Sequence, residues 1–124
     1  MKPNKPALRR VVKMLRNWPF KDQKFAIDDW RREADCGTAC CAVGGAAQLP
    51  WFLARGLSAV RPSPDAHFFK LQFGGYEDWE AAEEFFGLTE EQAAHLFSED
   101  AYKSRNPKRE TVAKRIEAFL EGAA

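Results

Sequence analysis

The three cysteines of the chain lie within six positions, at Cys36, Cys40 and Cys41. A thiol just ahead of a helix has a lowered pKa, because unpaired backbone N–H groups and the helix dipole favour the thiolate. Cys36 takes that position if a helix begins at Thr38, so Cys36 and Cys41 are candidate thiols of a sensor or an enzyme. The competing interpretation is structural, because cysteine is often buried and small side chains let neighbouring elements approach. We favour the structural interpretation.

No local signature completes a reactive thiol site, and a pairing of Cys36 with either histidine of the chain stays open. A zinc site needs about four ligands, and His67 and His95 each stand without a second ligand at motif spacing. The cysteine spacing is not the Cys-x-x-Cys of thiol oxidoreductases. A disulfide between Cys36 and Cys41 requires the chain to bend before the helix. We therefore predict no metal site and no cofactor.

Charge is segregated along the chain, although the formal net charge is only +1. The stretch from Lys2 to Lys24 is basic, with Asp22 as its single acid. The stretch from Glu77 to Asp100 contains no Lys or Arg, and basic residues return between Lys103 and Arg115. Opposite blocks can neutralise one another inside the fold or between copies. Solvated faces of packed helices are the simpler interpretation, and we favour it.

A first amphipathic helix is indicated by apolar residues at helical spacing, which are Leu8, Val11, Val12 and Leu15. The helix should end near Asn17, because Trp18 precedes Pro19 and a residue before proline avoids helical geometry. Arg9, Lys13 and Arg16 fall on its polar side. Trp18 and Trp51 flank predicted breaks and are the aromatics that we expect to be exposed. The candidate binding residues are therefore Trp18, Trp51, Arg9, Lys13 and Arg16.

A central buried helix is predicted from Thr38 to about Gln48, capped by the threonine and ended by Leu49-Pro50. Its side chains are unusually small. Gly44 and Gly45 each cost a helix roughly 1 kcal/mol relative to alanine. Their presence indicates that another backbone or a large aromatic ring comes very close.

One β-hairpin is predicted, from Leu57–Val60 and His67–Phe73 on either side of a proline-containing turn. The second strand alternates apolar and polar residues, which is the period of a strand buried on one face. His67 shares parity with Phe69 and Leu71, so we expect a hydrogen-bonded histidine at the edge of the core. The segment around residues 25–30 has the pattern of an extended anchor over the core.

Three more helices are predicted after the hairpin. The first ends at Gly87 and has an apolar side formed by Trp79, Ala82, Phe85 and Phe86. Thr89 and Gln92 form a capping-box pattern at the start of the second. Asn106 and Pro107 are placed to cap and open the last one. The expected fold is α+β and mainly α, with about five helices around the small-residue helix.

The length and composition of the chain limit the classes of protein to which it can belong. The chain has 124 residues, of which 45% are hydrophobic and 30% charged, values typical of one globular domain spanning residues 1–124. No apolar run approaches the ~20 residues that cross a bilayer, so we expect no membrane contact. An odd, crowded set of cysteines is untypical of extracellular domains. We therefore expect a cytoplasmic location.

The sequence resembles an uncharacterised family of small bacterial and phage-borne proteins. The resemblance spans most of the chain and is carried by Phe25-x-Ile27-x-x-Trp30, by Cys36-Gly37-Thr38-x-x-Cys41-x-x-Gly44-x-Ala46 and by Gly87-Leu88-Thr89-x-x-Gln92-Ala93-x-x-Leu96-Phe97. It implies shape and origin but no activity, and it singles out Cys36 and Cys41. This chain has Gly45 where such proteins often place tryptophan, and Cys40 is an additional thiol.

Three functional hypotheses follow. The first is a non-catalytic binding module that acts on a protein partner or on a second copy of itself. The second is a thiol-dependent sensor or enzyme that uses Cys36 or Cys41. The third is nucleic-acid binding by the basic first helix and the basic C-terminal segment, if the two meet in space. We favour the first, and because the net charge is near zero we do not expect nucleic acid to be the partner.

Overall fold

A computed structural model describes residues 2–21, 23–27, 30–34, 37–104 and 106–122. This part of the chain is α+β and mainly α, as the sequence predicts. Its helices are α1 (Lys5–Arg16), α2 (Ala42–Ala46), α3 (Pro50–Leu53), α4 (Asp78–Phe86), α5 (Glu90–Phe97) and α6 (Arg109–Gly122). Its strands are β1 (Gln23–Phe25), β2 (Arg31–Ala34), β3 (Gly37–Cys40), β4 (Leu57–Val60), β5 (Lys70–Phe73) and β6 (Tyr76–Glu77). Among these helices, none has the length and apolar character needed to cross a membrane.

The strands form two small sheets. In the second sheet β4 pairs with β5 and β5 with β6, all antiparallel, and Leu57 lies opposite Phe73. This confirms the predicted hairpin. The prediction for His67 is wrong, because β5 begins only at Lys70 and His67 is exposed in the preceding loop. The alternation of apolar and polar residues in β5 therefore does not include His67.

The first sheet has the order β1-β3-β2, with β1 parallel and β2 antiparallel to β3. The sequence indicated an extended segment in this region but not a sheet. Its strands have only three or four residues each, and charged residues occupy several positions. Such short strands carry too little alternation to be recognised without their partners.

The central helix is shorter than predicted. Thr38 does not cap it but lies inside β3, whose backbone pairs with strands on both sides. The helix begins after Cys41 and ends at Ala46, and every residue of it is buried. Cys41 is the N-cap, and its sulfur accepts a hydrogen bond from the Gly44 backbone N–H at 3.3 Å. The prediction of a buried small-residue helix is confirmed, whereas its length and its capping residue are wrong.

Gly44 and Gly45 have the close neighbours that the sequence predicted. A Cβ atom at Gly44 would overlap the backbone carbonyl of Trp30. A Cβ atom at Gly45 would lie 3.1 Å from the Phe20 ring and 3.3 Å from the Met14 side chain. At both positions the absence of a side chain lets another element pack directly on α2.

Helix α1 packs its apolar side into the core. Its buried residues are Ala7, Leu8, Val11, Val12, Met14 and Leu15. The Asn4 side chain accepts from the Ala7 N–H at 3.3 Å, and the Asn4 backbone N–H donates to the Phe86 carbonyl at 2.7 Å. Asn17 ends the helix, as predicted. The start of α1 is therefore fixed to the end of α4.

The turn between α4 and α5 has the structure that the sequence predicts. Gly87 ends α4 in the left-handed conformation, with φ 65°. Thr89 and Gln92 form both hydrogen bonds of the capping box that starts α5. These three residues confirm the predicted break and restart of the helix.

Trp79 does not join the buried side of α4, contrary to the prediction, and 40% of it is exposed. The chain enters α4 through Asp78, whose φ of 51° is left-handed and whose Oδ1 accepts from the Leu71 N–H at 3.1 Å. This sharp entry places the first turn of the helix at the rim of the core. The Trp79 ring there meets the Trp30 ring at 5.1 Å between centroids.

Helix α6 starts two residues later than Pro107 suggests. The Val112 N–H donates to the Lys108 carbonyl, and Arg109 is the first helical residue. Val112, Ala113 and Ile116 are buried. Phe119 and Leu120 are partly buried against the same core.

We predict that Gly44→Ala lowers the free energy of unfolding by about 1–3 kcal/mol, because the added Cβ overlaps the Trp30 carbonyl. The loss should occur although alanine intrinsically favours a helix over glycine. Gly75→Ala is the matched control, since nothing lies within 4 Å of its added Cβ, and its effect should stay within about 0.5 kcal/mol. Urea unfolding of the three proteins measures both values. Equal stability of the two variants would contradict the packing of α2 on Trp30.

Candidate functional site

Helices α1 and α6 lie side by side and run in opposite directions. The end of α1 meets the start of α6, where Arg109 Nη1 donates to the Leu15 carbonyl at 2.8 Å and Arg16 contacts Glu110. Towards the other end, Arg9 of α1 and Glu121 of α6 line the same groove. This antiparallel pair forms one outer face of the molecule.

The outward side of α1 carries a basic ridge, which we define as Lys5, Arg9, Lys13 and Arg16. The last three residues follow Lys5 by four, eight and eleven positions, a spacing that keeps all four on one side of a helix. Burial of Leu8, Val11 and Leu15 fixes the rotation of α1. The ridge must therefore point away from the core.

The neighbouring side of α6 carries an acidic ridge, which we define as Glu110, Glu117 and Glu121. The spacing of seven and eleven positions again places these residues on one side of the helix. Burial of Val112 and Ile116 holds them outside the core. Lys114 is exposed beside this ridge, and its positive charge helps to lower the pKa of Glu110 and Glu117.

An open groove of about 710 Å³ runs between the two ridges. Arg9 and Lys13 line it from the basic side, and Glu117 and Glu121 line it from the acidic side. The apolar side chains that line it are Val12 and Leu120. The apolar strip of the groove is therefore narrow, because Leu120 is partly exposed whereas Val12 is only 7% exposed, and it is bordered by opposite charges.

Arg16 closes one end of the groove by pairing with two glutamates of α6. Its guanidinium lies 2.8 Å from a Glu110 carboxylate oxygen and 2.7 Å from a Glu117 carboxylate oxygen. Hydrogen bonds from Arg16 lower the pKa of both carboxyl groups, and the same bonds raise the pKa of Arg16. These groups are solvent-exposed, so the pairing sets the register of the helices more than it stabilises them.

The structure brings together three of the five predicted binding residues. Arg9, Lys13 and Arg16 all line the groove. Arg9 and Lys13 form no ion pair with any residue in the described ranges. The helical spacing of the cations could be predicted from the sequence. The position of the glutamates opposite them could not, because the paired residues are 94 and 101 positions apart in the chain for the contacts of Arg16.

Trp51 lies on the other side of α1 and is half-buried rather than exposed. It lines a second groove of about 270 Å³, which shares Lys13 with the first. The guanidinium carbons of Arg10 and Arg55 lie 4.4 and 3.7 Å from its ring centroid. The prediction of an exposed Trp51 is wrong because two arginines cover the ring.

Trp18 is also half-buried, contrary to the prediction. Its ring packs edge-on against Phe20 and Phe25, and its indole N–H donates to the Gln23 carbonyl at 2.8 Å. Arg109 lies over the same ring. Trp18 therefore anchors the segment after α1 and lines neither of the grooves beside that helix.

The cysteine region does not form an accessible thiol site in the part of the chain that the structure describes. Cys41 is buried and is a free thiol. Burial raises the pKa of Cys41 to about 12, which outweighs the opposing hydrogen bond from Gly44. Cys36 lies outside the described residues. Within the described ranges, no three His, Cys, Asp or Glu side chains are grouped to hold a metal ion.

No known protein family, curated protein or solved structure that was compared with the chain matches it. The resemblance to a bacterial and phage-borne family therefore stays a prediction. The function proposed below rests on the residues of the groove alone.

We predict that Arg16→Gln destabilises the protein most near neutral pH. The folded pKa values of Glu110 and Glu117 lie below the ordinary glutamate value of about 4.3. Their contribution is therefore present above that value and is lost as the pH falls through the lower folded values. The difference in free energy of unfolding between wild type and variant should shrink below about pH 4.

Arg9→Gln is the matched control for this measurement, because it removes one charge from the same ridge without breaking an ion pair. The raised pKa of Glu83 acts in the opposite direction, but it is common to all three proteins and cancels in the differences. Urea unfolding between pH 3 and pH 7 measures the effect. Parallel pH profiles of the two variants would contradict the Arg16 pairing.

We predict that Cys41 is not alkylated by iodoacetamide at pH 8 until the protein unfolds. Its thiol is buried and its pKa is about 12, so the thiolate is neither formed nor accessible. Tandem mass spectrometry of the labelled peptide assigns the modified sulfur, and labelling in urea provides the fully accessible reference. Rapid labelling of Cys41 in native buffer would revive the thiol hypothesis.

Proposed function

We propose that the protein is a non-catalytic binding module and that its groove between α1 and α6 takes an α-helical segment of a protein partner. The observation that carries the proposal is a groove with a basic border, an acidic border and a narrow apolar floor at which Leu120 is partly exposed. An amphipathic helix laid in an apolar groove is a recurring mode of peptide recognition.

The dimensions of the groove suit one helix. Helix α1 has 12 residues, which corresponds to a length of about 18 Å. A helix with its side chains is about 10–12 Å wide, and packed helices lie about 8–10 Å apart. A partner helix of about three turns would therefore lie along the groove with its apolar side over Leu120.

The charges define the chemistry of the partner. Arg9 and Lys13 present cations that are not used by other described residues, and Glu121 presents a carboxylate on the opposite border. A matching helix carries acidic residues on one edge of its apolar stripe and basic residues on the other. Such complementarity speeds association and selects partners more than it adds affinity.

The two other hypotheses have less support. Arg109 and Arg115 of α6 do not extend the basic ridge, because Arg109 bonds to the Leu15 carbonyl and Arg115 bonds to the carbonyls of His95 and Ala101. The exposed Lys114 lies beside the acidic ridge instead. The acidic ridge would instead repel a phosphate backbone. The thiol hypothesis is weakened by the burial of Cys41.

The proposal predicts which peptides the protein selects. A displayed library of random peptides of about 16 residues, roughly 24 Å long when helical, is the probe. We expect enrichment of amphipathic sequences with one acidic and one basic edge. Arg9→Glu combined with Lys13→Glu should weaken their binding roughly 10-fold or more, because attraction at two positions becomes repulsion.

Lys21→Glu combined with Lys103→Glu is the control, because it makes the same change in net charge at exposed positions that line neither groove beside α1. This control should bind the selected peptides as wild type does. Circular dichroism and urea unfolding establish that both variants are folded. Equal binding to wild type and the Arg9/Lys13 variant would contradict the proposal, as would a selection without enrichment.

A further inference from the structure

We infer that the partner that fits this face is a second copy of the same chain. This inference rests on the proposed function and names the occupant of the same surface, although here two helices stack over the two ridges in place of a single helix laid between them. Two α1–α6 faces would stack into a four-helix arrangement around a two-fold axis parallel to the helices. The observation behind it is the pairing of a basic and an acidic ridge on one face.

The symmetry makes the charges complementary. The two-fold axis lies between the two faces and runs parallel to the groove. It places α1 of one copy over α6 of the other and keeps the direction of each helix along the axis. The basic ridge of one copy then lies over the acidic ridge of the other, and the same contact occurs a second time. Arg9 and Lys13 of each copy would face Glu121 of its partner. Such an interface is isologous and closes as a dimer.

The helix directions also fit this arrangement. Because α1 and α6 run antiparallel within one chain, α1 of one copy would run antiparallel to α6 of the other. Every neighbour in the four-helix layer would then be antiparallel, as in up-down helix bundles. Leu120 of the two copies would supply the apolar contact near the centre, since Val12 is buried in each copy.

The alternative contact between copies joins the basic ridge to the acidic α4–α5 region. The exposed carboxylates of that region include Glu80, Glu84, Glu90 and Glu91. This contact uses two different surfaces, so it leaves one of each free and generates chains rather than a closed pair. The stoichiometry of association separates the two arrangements.

The size of the face indicates a weak dimer. Two helices side by side, about 18 and 21 Å long and together about 20 Å wide, cover roughly 390 Å² per copy. The total of roughly 780 Å² is below the ~1,200 Å² of stable complexes. We therefore expect a dissociation constant in the micromolar range or weaker and a dimer that high salt dissociates.

Charge-reversed variants, alone and mixed with one another, test the inference. Their self-association is measured by sedimentation velocity over a concentration series. Arg9→Glu with Lys13→Glu and the single change Glu121→Lys should each weaken self-association roughly 10- to 100-fold, since two-fold symmetry counts every reversal twice. Mixing these two variants should restore a dimer, because both contacts of the mixed pair join opposite charges. The Lys21→Glu/Lys103→Glu control should dimerise as wild type does.

Three results would overturn the inference: a strictly monomeric wild type at millimolar concentration, complexes larger than two copies, or mixed variants that fail to associate although each is folded. A monomeric protein that still selects helical peptides through Arg9 and Lys13 would end the dimer but leave the proposed function intact. Unchanged self-association and unchanged peptide binding in the Arg9/Lys13 variant would contradict both.

Discussion

Burial of the apolar side of α1 is the constraint on which the outer face of the protein depends. Leu8, Val11 and Leu15 are fully or almost fully buried, and each contributes about 1.5–3 kcal/mol when removed from water. A helix with such a stripe has one favourable rotation, because turning it would expose these side chains and bury cations. The outward direction of Arg9 and Lys13 is thus set by the buried side of the same helix and not by contacts that the two cations make themselves. Function at this face would be a consequence of packing beneath it.

The charged residues have a different physical role from the core. The pairing of Arg16 with Glu110 and Glu117 lies in solvent, where desolvation is small and salt screens the attraction. It therefore selects the register of α1 against α6 rather than holding the helices together. That register aligns a basic with an acidic ridge along a shared apolar strip. A face of this kind discriminates between partners by repulsion as well as by attraction.

Sequence reasoning succeeded where structure is set by neighbours in the chain. The Thr89/Gln92 capping box, the left-handed Gly87 and the end of α1 at Asn17 are local features, and all were predicted. It failed at Thr38, whose capping tendency lost to strand pairing with two segments that the sequence did not reveal as strands. The predicted exposure of Trp51 was wrong in part for the same reason, because Arg10 covers the ring from α1, whereas Arg55 is only four residues away in the chain. The basic half of the groove could be predicted from helical spacing, but the acidic half depends on the packing of α6.

Zero-length carbodiimide cross-linking of an equimolar mixture of ¹⁴N- and ¹⁵N-labelled protein shows which carboxylates lie against the basic ridge, within one chain and between copies. The reagent joins a lysine amine to a carboxylate only where the two are in contact, and mass spectrometry separates links within one chain from links between chains. We expect Lys13 to couple to Glu117 or Glu121, in both single-isotope and mixed-isotope products. Coupling of Lys13 chiefly to the carboxylates of α4 and α5 would contradict this expectation.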